Sequence, residues 1–316
     1  MKINRRNFFR LAAASSLGLT QPWLLKIFFP SKNQRPPVIW FQAQTCSGCL
    51  ISLANSRAPL FAEILTEIIS LQFIPTIMSS AGNHALRLLE KAHNEHRGEF
   101  LLLVEGSIPV KLQSASTIGE KEGKPLTALD WIKRLAPAAK AVLSVGTCSA
   151  FGGIPAAHPN PTGAQPLSSL IGSDNLINVP GCPPHPDWVS GTIAYLLQYG
   201  KPAIDHNRRP KSFFGQTVHD LCSRRGYFEI GAFATDYGEE GCFYQLGCKG
   251  PISACDIPLR GWNSGVNSCI RSGGICIGCT EPSFPDHSGE GLFSSTNEAQ
   301  EPITIAHSPI GTAHNG

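Results

Sequence analysis

Charge is what this sequence has least of. Asp, Glu, Lys and Arg make up 16% of its 316 residues, against ~25% in an ordinary soluble domain. So little charge fits a surface partly covered by a partner. The net charge is only +3, and part of it comes from the N-terminus. No Lys/Arg stripe is interleaved with aromatics, which argues against nucleic acid as a ligand. Internal repeats are absent. A spanning helix needs ~20 apolar residues, but Arg10, Pro22 and Lys26 interrupt the N-terminal apolar stretch and no long apolar run occurs near the C-terminus.

The first residues carry their own signal. Asn4-Arg5-Arg6-Asn7-Phe8-Phe9-Arg10 precedes the mild apolar run Leu11 to Leu19. A paired arginine, an aromatic pair and a short apolar region resemble a twin-arginine export signal. The plainer reading is a basic start to an amphipathic helix. No clean small-x-small cleavage site follows, so the mature chain is expected to begin between Ser31 and Pro37. Residues 1–35 are read as the signal region. The expected location is the periplasm, or the periplasmic face of the cytoplasmic membrane through a partner.

Residues 36–204 alternate between strand-like and helix-like segments. Val38–Phe41, Phe73–Met78, Phe100–Val104, Ala141–Val145 and Leu176–Val179 read as strands. Leu60–Ile69, Ala85–His93, Thr127–Leu135 and Trp188–Tyr199 read as helices. Continuous apolar strands separated by helices predict an α/β fold with a parallel sheet covered on both faces. Asn207 to Pro210 reads as a linker. Residues 205–287 are glycine-rich and irregular, with little helix or strand period, and 288–316 read as a mobile polar tail.

The chain has eleven cysteines. In an exported protein the default is disulfide pairing, but an odd number leaves one over. Cys46 and Cys49 follow the first strand, Cys148 follows a later one and Cys182 the last. Ligands of such sheets bind outside the carboxyl ends of the strands, and all four thiols fall at that edge. Four sulfurs suit zinc or an iron–sulfur cluster; a lone Cys-x-x-Cys would suit a redox pair instead. His219, Cys222, Cys242 and Cys248 form a second set, for which zinc is the better reading when taken alone. Cys255, Cys269, Cys276 and Cys279 form a third. Three sets use every cysteine and leave none over. Three structural zincs would have no evident purpose, whereas three redox clusters would form a wire. His185 reads as a surface histidine at a helix start. Glu105, at a strand end near the first set, reads either as a group that tunes the site or relays protons or as a carboxylate near solvent.

The motifs themselves resemble the small subunit of nickel–iron hydrogenases. Those that carry the likeness are Gln44-Thr45-Cys46-Ser47-Gly48-Cys49, Glu105-Gly106-Ser107-Ile108-Pro109, Gly146-Thr147-Cys148 running on to Gly153, and Asn178 to Pro184. His219-x2-Cys222, Leu246 to Pro251 and Cys276-Ile277-Gly278-Cys279-Thr280-Glu281-Pro282 complete it. The likeness runs from about Pro36 to Asp286; its first part also looks like the cluster-bearing subunit of respiratory NADH dehydrogenase. It implies a flavodoxin-like, doubly wound domain followed by an irregular cluster domain.

By the same resemblance, Cys46, Cys49, Cys148 and Cys182 would hold a proximal 4Fe–4S cluster. His219, Cys222, Cys242 and Cys248 would hold a distal one, and Cys255, Cys276 and Cys279 a medial cluster. Relatives with proline at the Cys269 position have a three-iron medial cluster; with Cys269 ligating, a 4Fe–4S cluster is expected here, and otherwise a 3Fe–4S cluster. Hydrogen would be split at a nickel–iron site in an obligate large subunit, and electrons would pass to an unknown acceptor such as a cytochrome or membrane redox protein. Export in the folded state suits an oxygen-sensitive cofactor loaded beforehand. The two extra cysteines of oxygen-tolerant members are missing. A stand-alone iron–sulfur carrier and a zinc-stapled structural protein are the competing readings.

Overall fold

The computed structural model describes residues 35–172 and 175–285. The expected export signal and polar tail lie outside the described residues. Five strands form the central sheet: β1 (Pro37–Gln42), β2 (Ser70–Phe73), β3 (Leu101–Glu105), β4 (Ala141–Val145) and β5 (Leu176–Val179). They are all parallel, in the order β2-β1-β3-β4-β5. This is the flavodoxin-like order, whose crevice opens at the carboxyl ends of the strands.

The helices that position the site are α1 (Gly48–Ala54), α2 (Gly82–Glu95), α3 (Ala128–Leu135), α4 (Thr147–Phe151) and α5 (Pro186–Tyr199). Strand alternation sorts the core into two halves. Val38, Trp40, Leu101 and Leu103 face the half that contains Leu50 and Leu53 of α1 and Trp188 and Val189 of α5. Ile39, Phe41, Leu102 and Val104 face the half with Leu89 of α2 and Trp131 and Ile132 of α3. Thr127 starts α3: its hydroxyl accepts from the Asp130 N–H, and the Asp130 carboxylate accepts from the Thr127 N–H at 3.0 Å. That reciprocal pair satisfies two donors that a helix start leaves open.

The irregular segment is built of turns and short helices, among them Lys211–Phe214, Arg225–Glu229 and Ile257–Arg260. It packs on the α1/α5 side, where Phe214, Val218, Ile257 and Ile270 join the same core as β1 and α5.

Three expectations are corrected. The second strand is Ser70–Phe73, not Phe73–Met78; Pro75, which lacks an N–H, cannot continue a ladder. Leu60–Ile69 is not one regular helix: a turn at Phe61–Glu63 runs into a π-helical turn at Ile64–Ile68. The wider turn buries Ile64, Ile68 and Ile69 together. The stretch read as a linker is packed, not loose. The N–H of Asn178 on β5 donates to the Arg208 carbonyl at 3.0 Å, its side-chain amide donates to the Asn207 carbonyl at 2.9 Å, and Arg209 is buried.

Several short elements are not marked in the sequence pattern, α1 and α4 among them, and neither is a hairpin. Thr117–Lys121 and Lys124–Thr127 form an antiparallel hairpin, turned by Glu122 and Gly123 at φ 53° and 75°. Two consecutive positive φ values match the twist of a tight hairpin.

Candidate metal centres

The first site lies beyond the carboxyl ends of β1, β4 and β5. Cys46 and Cys49 flank the start of α1, Cys148 sits in the first turn of α4, and Cys182 follows β5. All four sulfurs act on one another electrostatically. The Cys49 thiol is pushed up by burial first, then by Glu105 and the other three cysteines. Burial, with help from Cys182, pushes Cys148 up to about 12, and burial plus Cys46 raises Cys182. Glycines make the approach possible. Gly146 has φ 88°, and a methyl group there would collide with the Cys49 sulfur. A methyl at Gly153, φ 56°, would sit 2.9 Å from the Cys148 sulfur.

Beneath these thiols lies Glu105, 0% exposed. Its Oε2 accepts from Trp40 Nε1 at 3.0 Å and Gln42 Nε2 at 2.9 Å. Its Oε1 accepts from the Thr45 hydroxyl at 3.1 Å and the Cys49 N–H at 3.0 Å. A buried carboxylate is costly unless its lone pairs are met, and here four donors from three chain segments meet them.

In the second site burial raises the Cys242 and Cys248 thiols first, and the neighbouring Cys222 sulfur adds to both. Together with His219 they line one cavity, walled by Val218, Phe243 and Tyr244. The His219 ring stands edge-on to Phe228 with centroids 4.6 Å apart. Burial, and then Arg225, lowers its pKa, which favours the neutral imidazole that can ligate a metal.

The third set also converges. Burial drives Cys255 well up, aided by Cys279 and Cys276. Cys276 and Cys279 are pushed up to about 12, again by burial first, and Cys279 also feels Cys269. Cys269 is the exposed member.

The three sets adjoin. The backbone of Cys182 hydrogen-bonds the Cys279 sulfur. The Cys276 N–H donates to the Cys248 sulfur at 3.4 Å. Thr147, which the sequence reading passed over, adds a bridge: its hydroxyl donates to the Cys279 carbonyl and accepts from the Gly181 N–H. Its place beside Cys148 in Gly-Thr-Cys was the available signal. His185 is not a surface residue: it is buried, accepts from the Asp187 N–H at the start of α5 and bonds the Gly261 carbonyl at 3.1 Å.

All eleven cysteines are unpaired. Thiols raised this far stay protonated at neutral pH, so a metal that displaces the protons relieves their burial. Backbone N–H groups at Gly48, Arg224 and Ile257 each donate to a cysteine sulfur at 3.4 Å, as a thiolate ligand requires. Among the described residues, no three His, Cys, Asp or Glu side chains form a group fit to hold one metal ion. A zinc would draw its sulfurs to about 2.3 Å from a single point. Iron–sulfur clusters, with thiolates on different irons, fit the donor sets better.

Comparison with known proteins agrees with this donor chemistry. Residues 214–290 match the family model for the C-terminal region of NiFe/NiFeSe hydrogenase small subunits. Residues 46–196 match "NADH ubiquinone oxidoreductase, 20 Kd subunit". The periplasmic NiFeSe hydrogenase small subunit of Desulfomicrobium baculatum is 39% identical over 90% of this chain and 97% of its own length. The uptake hydrogenase small subunit of Azotobacter vinelandii is 36% identical over 90% of this chain and 81% of its own. A solved NiFeSe hydrogenase chain from Desulfovibrio vulgaris Hildenborough superposes with TM-score 0.77 and 40% identity, covering 80% of this chain and 96% of that one.

Gly146→Ala tests the first site. A β-carbon at positive φ costs about 1–2 kcal/mol, and this one displaces the Cys49 sulfur. The anaerobically purified variant should carry less metal than the unmodified chain; an unchanged metal content would contradict the packing described.

Proposed function

The chain belongs to the family of nickel–iron hydrogenase small subunits, one half of a heterodimeric oxidoreductase, and on that premise we propose that it is a three-centre electron relay. Cys46, Cys49, Cys148 and Cys182 hold the proximal 4Fe–4S cluster. Cys255, Cys269, Cys276 and Cys279 hold a medial 4Fe–4S cluster, and His219, Cys222, Cys242 and Cys248 the distal one. When bound, these clusters supply one-electron carriage between hydrogen oxidation in the large subunit and an external acceptor. The observation that carries the reading is the unbroken series of contacts from Cys182 to Cys279, and from Cys276 to Cys248.

The chain's own residues set the conditions for that carriage. Glu105 fixes the Cys49 end of the first loop through the Cys49 N–H. The backbone donors to sulfur stabilise the ligating, deprotonated form. Phe228, Phe233 and Tyr244 shield the second site next to His219.

The large subunit is proposed to cover the face beside the first set. A groove of about 900 Å³ opens there, lined in part by Gly48, Ile51, His185, Arg260 and Trp262. Ile51 and Leu259 at this groove are exposed, and the low charge of the whole chain suits an interface of the obligate class above ~2,000 Å². The complex is proposed to work in the periplasm, a reading that the periplasmic relative supports. The twin-arginine motif supplies the route. Among the described residues no helix is long and apolar enough to cross a membrane.

Metal and sulfide counting on the anaerobically purified complex is the primary test. Twelve cluster irons, and one more beside the nickel of the partner's site, are expected; zinc, or a chain without that partner, would overturn the reading. Cys269 has a test of its own. The oxidised protein should show no three-iron paramagnetic signal, and Cys269→Pro should create one. A full three-iron signal in the unmodified protein would exclude Cys269 as a ligand. Replacing Arg5 and Arg6 together with Lys should strand both subunits in the cytoplasm, and undiminished periplasmic hydrogenase activity would count against export by this motif.

A further inference from the structure

Beside the third cysteine set lies a buried ionic cluster that the relay does not account for. Arg209 is 3% exposed and Glu281 7%. Arg209 Nη1 donates to Glu281 Oε1 at 2.8 Å and to the Thr280 carbonyl at 3.1 Å; its Nε donates to Asp205 Oδ2 at 2.7 Å. Glu281 Oε1 also accepts from the Ala254 N–H at 2.7 Å and from the Thr280 hydroxyl at 3.1 Å. Ala254 immediately precedes Cys255, and Thr280 immediately follows Cys279. One carboxylate oxygen therefore ties together the backbone beside two sulfurs that lie far apart in the chain. The Thr280 hydroxyl shares its one proton with the Ala254 carbonyl, also 3.1 Å away.

The other end of the cluster is anchored to the sheet. Arg209 belongs to the stretch whose Asn207 and Arg208 carbonyls are held by Asn178 of β5. The strand that leads to Cys182 thus also fixes the cation that holds Glu281. We propose that Arg209 and Glu281 are positioning residues for the third cysteine set, and that their opposite charges set the reduction potential of the cluster held there. The proposal rests on the assignment of a cluster to Cys255, Cys269, Cys276 and Cys279.

The electrostatics give the sign. Charges taken out of water are weakly screened, and the Glu281 charge already acts on the Cys279 sulfur. A nearby anion opposes the arrival of an electron, and a nearby cation favours it. Removing the Glu281 charge raises the potential; removing the Arg209 charge lowers it. A role confined to holding the backbone gives no such opposition of sign, because either change would loosen the same ties.

The test is a redox titration, followed by electron paramagnetic resonance, of the heterodimeric complex purified anaerobically. Cys276→Ser identifies the signal of the third set. If that substitution alters no cluster signal, the cluster assignment itself fails, separately from this proposal. With the signal identified, Glu281→Gln should shift its midpoint upward, Arg209→Gln downward, and Arg209→Lys should stay near the unmodified value. The two other clusters should not move by comparable amounts. Should Arg209→Gln not assemble, the isosteric Glu281→Gln decides by itself. A midpoint unmoved in Glu281→Gln, or moved in the same direction by both charge removals, overturns the proposal.

Discussion

A carboxylate with no exposure stands at the carboxyl end of the central strand, and the rest of the first site is arranged around it. Glu105 has no cation among its four hydrogen-bond donors. Its stability inside the protein depends on those donors, because an unmet buried charge is far more costly than an exposed one. Two come from β1, one from the loop after it and one from the first turns of α1. Satisfying Glu105 therefore sets where β1 ends, how the chain turns at Thr45 to Gly48, and where the Cys49 sulfur points. The parallel register of β1 against β3, with Gln42 opposite Glu105, supplies the geometry on which those bonds depend.

The cysteines add the second constraint. Each set gathers thiols that burial already disfavours in their charged form, and brings them close enough to repel as thiolates. Such an arrangement gains its free energy from bound metal, not from packing. The glycines follow from the same crowding. Gly146 and Gly153 stand where any side chain would press on a sulfur.

Much of this was legible in the sequence because it rests on local signals. Continuous apolar runs marked β3, β4 and β5, and the cysteines that follow strands fall at a common edge by topology alone. The spacing of the other seven cysteines grouped them into sets, and the long motifs gave the family. What stayed hidden depended on partners distant in the chain. Asn207 to Pro210 looks like a polar connector until Asn178 and Glu281 are seen to hold it. His185 looks like a surface residue until Gly261 and Trp262 cover it. The strand at Ser70–Phe73 has few apolar residues and is defined by pairing with β1, which no local pattern reveals. Thr147 stands in the Gly-Thr-Cys motif, but only the fold shows that its hydroxyl meets the Cys279 carbonyl.

The core beneath α1 and α5 does not stop at the end of the sheet domain. Phe214, Val218, Ile257 and Ile270 share it with Val38, Leu103 and Trp188. A chain ended after α5 would leave that side of the sheet's packing open to water as a contiguous apolar patch, an aggregation hazard. The irregular segment, for its part, would keep its sulfurs but lose the wall they are set against. The boundary near residue 205 is thus a change in composition that falls within one shared core.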